Sequence, residues 1–451
     1  MPVTQTSFSS VQRFSLITAC AIPAIGALLF IITYAYNVPY MDSWELIFLL
    51  KKIYAHEGIS LTELASQHNE HRILFPRIIM LCLARFSSWD ARYEIYFGFL
   101  LLCISFYVII IQVSKLYNVA ESSSERKYVF AGLCLLISLV VFSLTQDENL
   151  LWGWQIQIFL NILAVLLGML YLTNNEVLGA KSVVLSAFCG IVATYSFANG
   201  IIFWPIGAVV LLVRMRQARN NIYLLVAWAL IAVVVIFLYM HNYVNPANHP
   251  PLTYVLHNPY SYVLYILTYL GAPVVKLRLA THVPASLGGL IGLLSVFVIC
   301  YFLFKLKIFW KRHILFWHSL LLYTLLSGAI TAVGRAASGV DQALSPRYIT
   351  ICNFFWLWII ILGAYVYVKQ NFFSVKIFAS TCILVATLFA YYDEASFRDE
   401  HLHYENIKRA QTALKAGNVP SDVLRYVYPI PSAILSRNEF LRKNHLSFYK
   451  E

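Results

Sequence analysis

Five short stretches of this 451-residue chain carry side chains whose types and spacing suit chemistry. In "YMDSWE", Asp42 and Glu45 stand three apart, a spacing that puts both carboxylates on one face of a helix. A carboxylate so placed can take a proton from a hydroxyl as a general base. Early acids also suit a helix N-terminus, so capping competes with chemistry there. In "QHNEHR", His68 and His71 would share a helical face with Glu70 and Arg72 beside them. Three readings stand: a metal site built on two imidazoles and a carboxylate, a polar patch for sugar or phosphate, or a solvated loop. "TQDENLLWGWQ" offers Asp147 and Glu148, then Trp152 and Trp154. It reads as a second acid beside Asp42 with indole faces that stack on sugar rings, or as an aromatic belt above a helix cap. "YSFANGIIFWPIG" holds the turn signal Asn199-Gly200, and Asn199 either contacts a sugar or only turns a hairpin. "GRAASGVDQALSPRY" supplies Arg335, Arg347 and Tyr348. Arg347 follows Pro346 at a helix start, where guanidinium and helix dipole together favour a phosphate. The bland alternative is an arginine that snorkels from a helix end. Lys276 and Arg278 are further cations of this kind.

The elements that must position these groups are apolar. The chain is 60% hydrophobic and 12% charged, with mean hydropathy +0.69. Soluble domains carry about 25% charged residues. Runs long enough to cross a hydrocarbon core of about 30 Å recur along the sequence. The fold class is therefore all-α, a polytopic helical membrane protein. Eleven spans are expected, at 16–36, 92–113, 128–145, 155–172, 182–197, 200–213, 221–240, 284–304, 314–332, 348–368 and 375–392. The first lacks a small-residue cleavage site and reads as a retained helix, not a removed signal peptide. Segment 258–275, with Pro259, Gly271 and Pro273, reads as re-entrant or interfacial.

Cations concentrate in alternate loops: Lys115, Arg126 and Lys127; Lys181; Arg214, Arg216 and Arg219; Lys305, Lys307, Lys311 and Arg312; Lys369 and Lys376. That bias puts those loops and the amino terminus in the cytoplasm, and the carboxyl tail outside. It also accounts for the net charge of +12 without nucleic acid. The eight cysteines lie mostly inside apolar runs and give neither a disulfide framework nor metal spacing. Residues 1–392 form the membrane domain, 37–91 a large first outer loop with interfacial helices, and 393–451 an outer tail. The amphipathic stretch "ILFPRIIMLCLARF" would lie in the interface, with Arg77 and Arg85 available to lipid phosphates.

"YMDSWE", "QHNEHR", "TQDENLLWGW" and "SPRY", in this layout over most of the chain, resemble the integral-membrane GT-C glycosyltransferases. Within that class the architecture is similar to serotype-converting O-antigen glucosyltransferases. The resemblance implies a bacterial inner-membrane enzyme and a GT-C-like fold with periplasmic interfacial helices. It implies an undecaprenyl-phosphate-linked hexose, most simply glucose, as donor, and a lipid-linked O-antigen or lipopolysaccharide hydroxyl as acceptor. Membrane lipids surround it, and a donor synthase and a flippase work with it. Asp42 is then the base, with Glu45 and Asp147 the other catalytic acids. Arg347, Arg335 and Arg72 hold the donor phosphate. His68, Glu70, His71, Glu148, Trp152, Asn199 and Tyr348 contact sugar or acceptor. No cofactor is expected, because cations neutralise the leaving phosphate. The single acid of "MDSWE" departs from the paired acids of some members. Two other classes stand beside this one. An O-antigen polymerase or ligase would concentrate basic residues in a large late loop. A lipid-linked sugar flippase or transporter would bury ionisable residues deep within its spans.

Overall fold

The computed structural model describes residues 10–117, 124–218, 222–246, 250, 253–275, 281–370, 374–417 and 420–450. Arg219, Lys276 and Arg278, and the side chains of Arg126 and Lys127, lie outside the described residues. The described chain is almost wholly helical, with one two-stranded hairpin.

Helix α1 spans Ser10–Tyr34 and ends before Asn37-Val38-Pro39. The first loop follows: a 3-10 turn over Met41–Leu46, α2 (Ile47–Tyr54), α3 (Leu61–Leu64), strands β1 (Gln67–His68) and β2 (His71–Arg72), and α4 (Leu74–Ser87). Ser60 and Glu63 form a capping box that starts α3. Then come α5 (Arg92–Tyr117), α6 (Ser124–Val141), α7 (Asp147–Leu151), α8 (Ile156–Thr173), α9 (Ala180–Thr194), α10 (Phe203–Ala218) and α11 (Ile222–Met240). The second half holds α12 (Thr253–His257), α13 (Pro259–Gly271), α14 (His282–Lys305), α15 (Arg312–Arg335), α16 (Pro346–Lys369), α17 (Val375–Ala416), α18 (Ser421–Leu424) and α19 (Pro431–Lys443).

Nine helical stretches among the described residues are long and apolar enough to cross a membrane, and Cys20–Tyr34 and Ala180–Thr194 are shorter apolar helices. The nine long helices fall at nine of the eleven expected spans, and the two shorter ones lie at the expected 16–36 and 182–197. The core runs through α5, α8, α15 and α16, while α11 and α14 turn large apolar side chains outward, among them Leu230, Phe237, Phe297 and Tyr301. On a helix without a soluble partner, such a surface suits hydrocarbon.

Segment 258–275 forms α13 and a 3-10 turn over Ala272–Val274 that continues it. Helix α13 has 13 residues and rises about 20 Å. It lies tightly on α14. A Cβ at Gly271 would sit 1.7 Å from the Ala285 carbonyl oxygen, so only glycine allows that approach. The tail also differs from a loose appendage. Helix α17 is 42 residues long and runs unbroken through Tyr392, taking in the helical pattern at 406–415. Beyond it the chain folds back on the first loop, burying Leu424, Val427, Ile434, Leu441, Leu446 and Phe448.

Candidate functional site

At one end of the bundle three cavities adjoin. A narrow central one of about 70 Å³ is walled by Asp42, Glu70, His71, Trp152, Trp154 and Gln157, with Arg335, Arg347 and Tyr348 closing it. It shares Glu70, His71, Phe197, Arg335 and Tyr348 with a chamber of about 610 Å³ whose walls are mainly apolar. On its other side, Trp152 separates it from a cavity of about 160 Å³ lined by Tyr36, Tyr40, Asp147, Glu148, Glu400 and His403.

Asp42 sits in the first turn after α1. Met41, before it, holds φ +46°, a region costly for a residue with a side chain. Its amide donates to the Val427 carbonyl at 2.7 Å, so the tail fixes the turn that aims Asp42. The Asp42 Oδ2 lies 3.2 Å from His68 Nε2, and the His68 ring packs edge-on against Trp154 at 5.1 Å. Asp42 therefore faces the cavity and an imidazole.

The "QHNEHR" stretch is a β-hairpin, not a helix. Gln67 pairs with Arg72 and His68 with His71, and Asn69 takes the left-handed turn conformation at φ +49° that asparagine tolerates. The helical face expected for the two histidines is thus corrected, because a strand alternates its side chains and a tight turn regroups them. Glu70 Oε1 accepts from Arg335 at 2.8 Å and lies 3.6 Å from His71 Nε2. Burial pushes the Glu70 carboxyl up, but the charges of His71 and Arg335 outweigh it and hold it at about 2. Burial drives His71 down to about 4, so its ring is neutral at pH 7. Near neutrality Arg335 is then the cation that keeps Glu70 ionised. The Ala198 amide donates to His71 Nδ1 at 3.1 Å, which assigns the ring proton to Nε2, facing Glu70. The ring stacks on Phe197 at 4.4 Å.

The two candidate phosphate arginines end and begin successive helices. Arg335 closes α15, and Arg347 opens α16 with its Nε 3.2 Å from Glu148 Oε1. Asn149 holds that turn by donating to the Arg347 carbonyl at 3.0 Å and to Thr350 Oγ1 at 2.6 Å. Tyr348 receives a hydrogen bond from Gln342 at 2.8 Å. Trp152 donates to the Tyr40 carbonyl at 3.0 Å, so its indole is a fixed partition. Two wall groups are unmatched: buried Trp154 Nε1 and Gln157 Oε1 have no hydrogen-bond partner among the described residues. Such groups are rare, and in a cavity wall they suit a polar ligand.

Three residues expected at the site or the lipid surface are engaged elsewhere. Glu45 does not share a site with Asp42. Its carboxylate is held by Arg437 at 3.0 and 3.3 Å and by the Tyr428 hydroxyl at 2.5 Å, so it anchors the tail. Arg72 lines none of the three cavities, and its Nε, Nη1 and Nη2 donate to the carbonyls of Tyr239, Ala65 and His241 at 2.7, 3.1 and 2.7 Å. Arg77 is buried on the carbonyls of Leu64 and Ser66 and does not reach lipid. Asp147 lines the neighbouring cavity and accepts from the Glu148 amide at 2.7 Å, so Glu148 is the acid that reaches Arg347. Asn199 lies in the wall of the large chamber, in a turn where a Cβ on Gly200 would stand 2.1 Å from the Ala193 carbonyl. Among the described residues no group of three His, Cys, Asp or Glu side chains is placed to hold a metal. The sequence offered no signal for Gln157 and Phe197, which are single residues in apolar runs.

No protein-family model, curated protein or solved structure matches this chain.

Proposed function

We propose that this protein is a membrane glycosyltransferase of the GT-C type that moves a hexose from a polyprenyl phosphate to an O-antigen or lipopolysaccharide hydroxyl. In that reading it crosses a bacterial inner membrane eleven times, with the amino terminus in the cytoplasm and the site end in the periplasm. One observation carries the proposal. A carboxylate, two arginines and unmatched polar groups meet in a narrow neck beside an apolar chamber of about 610 Å³. A lipid-borne phosphosugar has the same order of parts: apolar chain, phosphate, sugar.

The prenyl chain occupies the apolar chamber, and the phosphate lies at Arg335, on the border of both cavities, within the field of Arg347. The hexose fills the neck against Trp152 and Trp154, with its hydroxyls on Trp154 Nε1 and Gln157 Oε1. The acceptor hydroxyl approaches Asp42. Its oxygen forms a bond to the anomeric carbon as Asp42 takes its proton, and the carbon–oxygen bond to phosphate breaks with its electron pair leaving on phosphate. The arginines meet the charge that grows on the leaving oxygen, an interaction stronger in the transition state than before it. His68 positions Asp42.

The test is the mass of lipopolysaccharide O-units from a Gram-negative host expressing the wild type or Asp42→Asn. A hexose increment present with wild type and lost in the variant, at equal protein level, is expected. An increment that survives Asp42→Asn removes Asp42 as the base. No increment across hosts that make the lipid-linked donor overturns the transferase itself.

A further inference from the structure

The opposite end of the bundle holds a further cavity, of about 470 Å³, apart from the three already described. Its walls come from the ends of four helices: Gln112 and Lys115 of α5, Asn174 after α8, Arg312 and His313 of α15, and Lys369 of α16. Pockets of about 300–1,000 Å³ are the usual size for small ligands. No Asp or Glu is among its described lining residues.

The contrast with the first site is in how the cations are partnered. There, Arg335 and Arg347 each face a carboxylate, Glu70 and Glu148. Here, Lys115 donates to the Asn174 side-chain oxygen at 3.0 Å, and Lys369 lies over the Tyr365 ring at 5.6 Å. Neither lysine has an ion pair among the described residues. Arg312 reaches Glu176 at 3.1 Å, but that carboxylate is 85% exposed, so the pair is screened and worth little. Arg312 and His313 also form the first turn of a 24-residue helix, whose free amides favour an anion. Three cations held around one polar cavity repel one another, and a bound anion relieves that cost.

We infer that this cavity, built by Lys115, Arg312 and Lys369, binds a phosphate group, either as the headgroup of an anionic lipid or as free phosphate. Two lysines supply point charges, and the guanidinium supplies a planar fork that matches phosphate oxygens. Asn174 and Gln112 offer neutral hydrogen bonds. The site is independent of the transfer reaction and stands whether or not that proposal does.

The full chain, purified in a neutral detergent, tests this in two arms. In the first, native mass spectrometry counts lipid retained after incubation with phosphatidylglycerol or with phosphatidylcholine. In the second, calorimetry follows titration with inorganic phosphate. The double variant Lys115→Gln/Lys369→Gln is compared with Lys305→Gln, which removes a cation from the end of α14 outside the cavity. Removing one charge-assisted hydrogen bond to phosphate is expected to weaken binding about tenfold. The double variant should therefore lose retention or affinity by about tenfold or more, and the control less than twofold. Loss in the lipid arm identifies a lipid headgroup, and loss in the phosphate arm a soluble one. Equal loss in the control, or no preference of wild type for phosphatidylglycerol together with no heat from phosphate, overturns the inference. Should the double variant aggregate, Lys369→Gln alone carries the same comparison.

Discussion

The His71–Glu70–Arg335 cluster should make the site end acid-labile, and His71→Gln should remove the first part of that lability. Burial lowers the His71 imidazole from 6.5 to about 4. The folded protein then binds fewer protons than the unfolded chain between those values, so stability is complete above pH 6.5 and falls as pH drops towards 4. The size follows from 1.36 kcal/mol per pH unit, giving about 3 kcal/mol over the window. Glu70 adds a second window. Its carboxyl is held at about 2 against an ordinary 4.5, so its contribution is complete above pH 4.5 and falls as pH drops towards 2. The two share one interaction, so their contributions do not simply add. Hydrogen exchange of the amides at 67–72, corrected for the intrinsic pH dependence of exchange, reads the local opening. Wild type should lose about 100-fold of protection between pH 6.5 and 4. His71→Gln should lose less than about tenfold, because glutamine has nothing to titrate. A flat wild-type profile, or identical profiles in both proteins, would refute the argument that a buried neutral imidazole sets this stability.

Three further predictions are direct. Trp154→Phe removes a buried N–H with no partner among the described residues, so the apparent melting temperature should hold or rise while, for the proposed transfer reaction, KM for the lipid-linked donor rises several-fold. Unchanged kinetics would show that the indole N–H meets no substrate. Arg437→Gln should loosen the tail by about 0.5–1 kcal/mol, a figure discounted for partial exposure of the pair. Limited proteolysis should then cut near residues 420–430 faster than in wild type, and equal rates would sink the anchoring role of Glu45. Gly271→Val drives a Cβ into the Ala285 carbonyl and should cost about 3 kcal/mol or more, seen as loss of monodisperse protein in detergent. Gly26→Ala, with nothing within 4 Å of the new Cβ, is the control and should be neutral or slightly stabilising.

Apolar run length and cation bias made the helices legible, because hydrophobic thickness is a local property of the chain. Site residues were legible only as types. Asp42, Arg335, Arg347 and Trp152 converge as the sequence suggested, since each stands at the end of an apolar run on the same side. Glu45 and Arg72 carry equal chemical promise in the sequence, yet they serve anchoring roles. Their partners, Arg437, Tyr428 and the carbonyls of Tyr239 and His241, lie 167 to 392 residues away. No local pattern encodes such pairings. The hairpin at "QHNEHR" was missed because a two-residue strand is too short to show alternation, and Asn69 is its sole turn signal. The unmatched Trp154 and Gln157 atoms are a property of packing and have no counterpart in composition.

The bond from Met41 to Val427, and those from Ser447 to Asn37 and Ser88, impose an order on biosynthesis. The turn that aims Asp42 emerges from the ribosome first, and residues that secure it follow as many as 410 positions later. At about 5–20 residues per second, the interval is about 20–80 s. Throughout it the nascent chain already has helices in the bilayer but only half of its Asp42 turn. The turn that aims Asp42 is therefore secured only once Val427 has been made, so a chain arrested before Val427 lacks the bond that holds it.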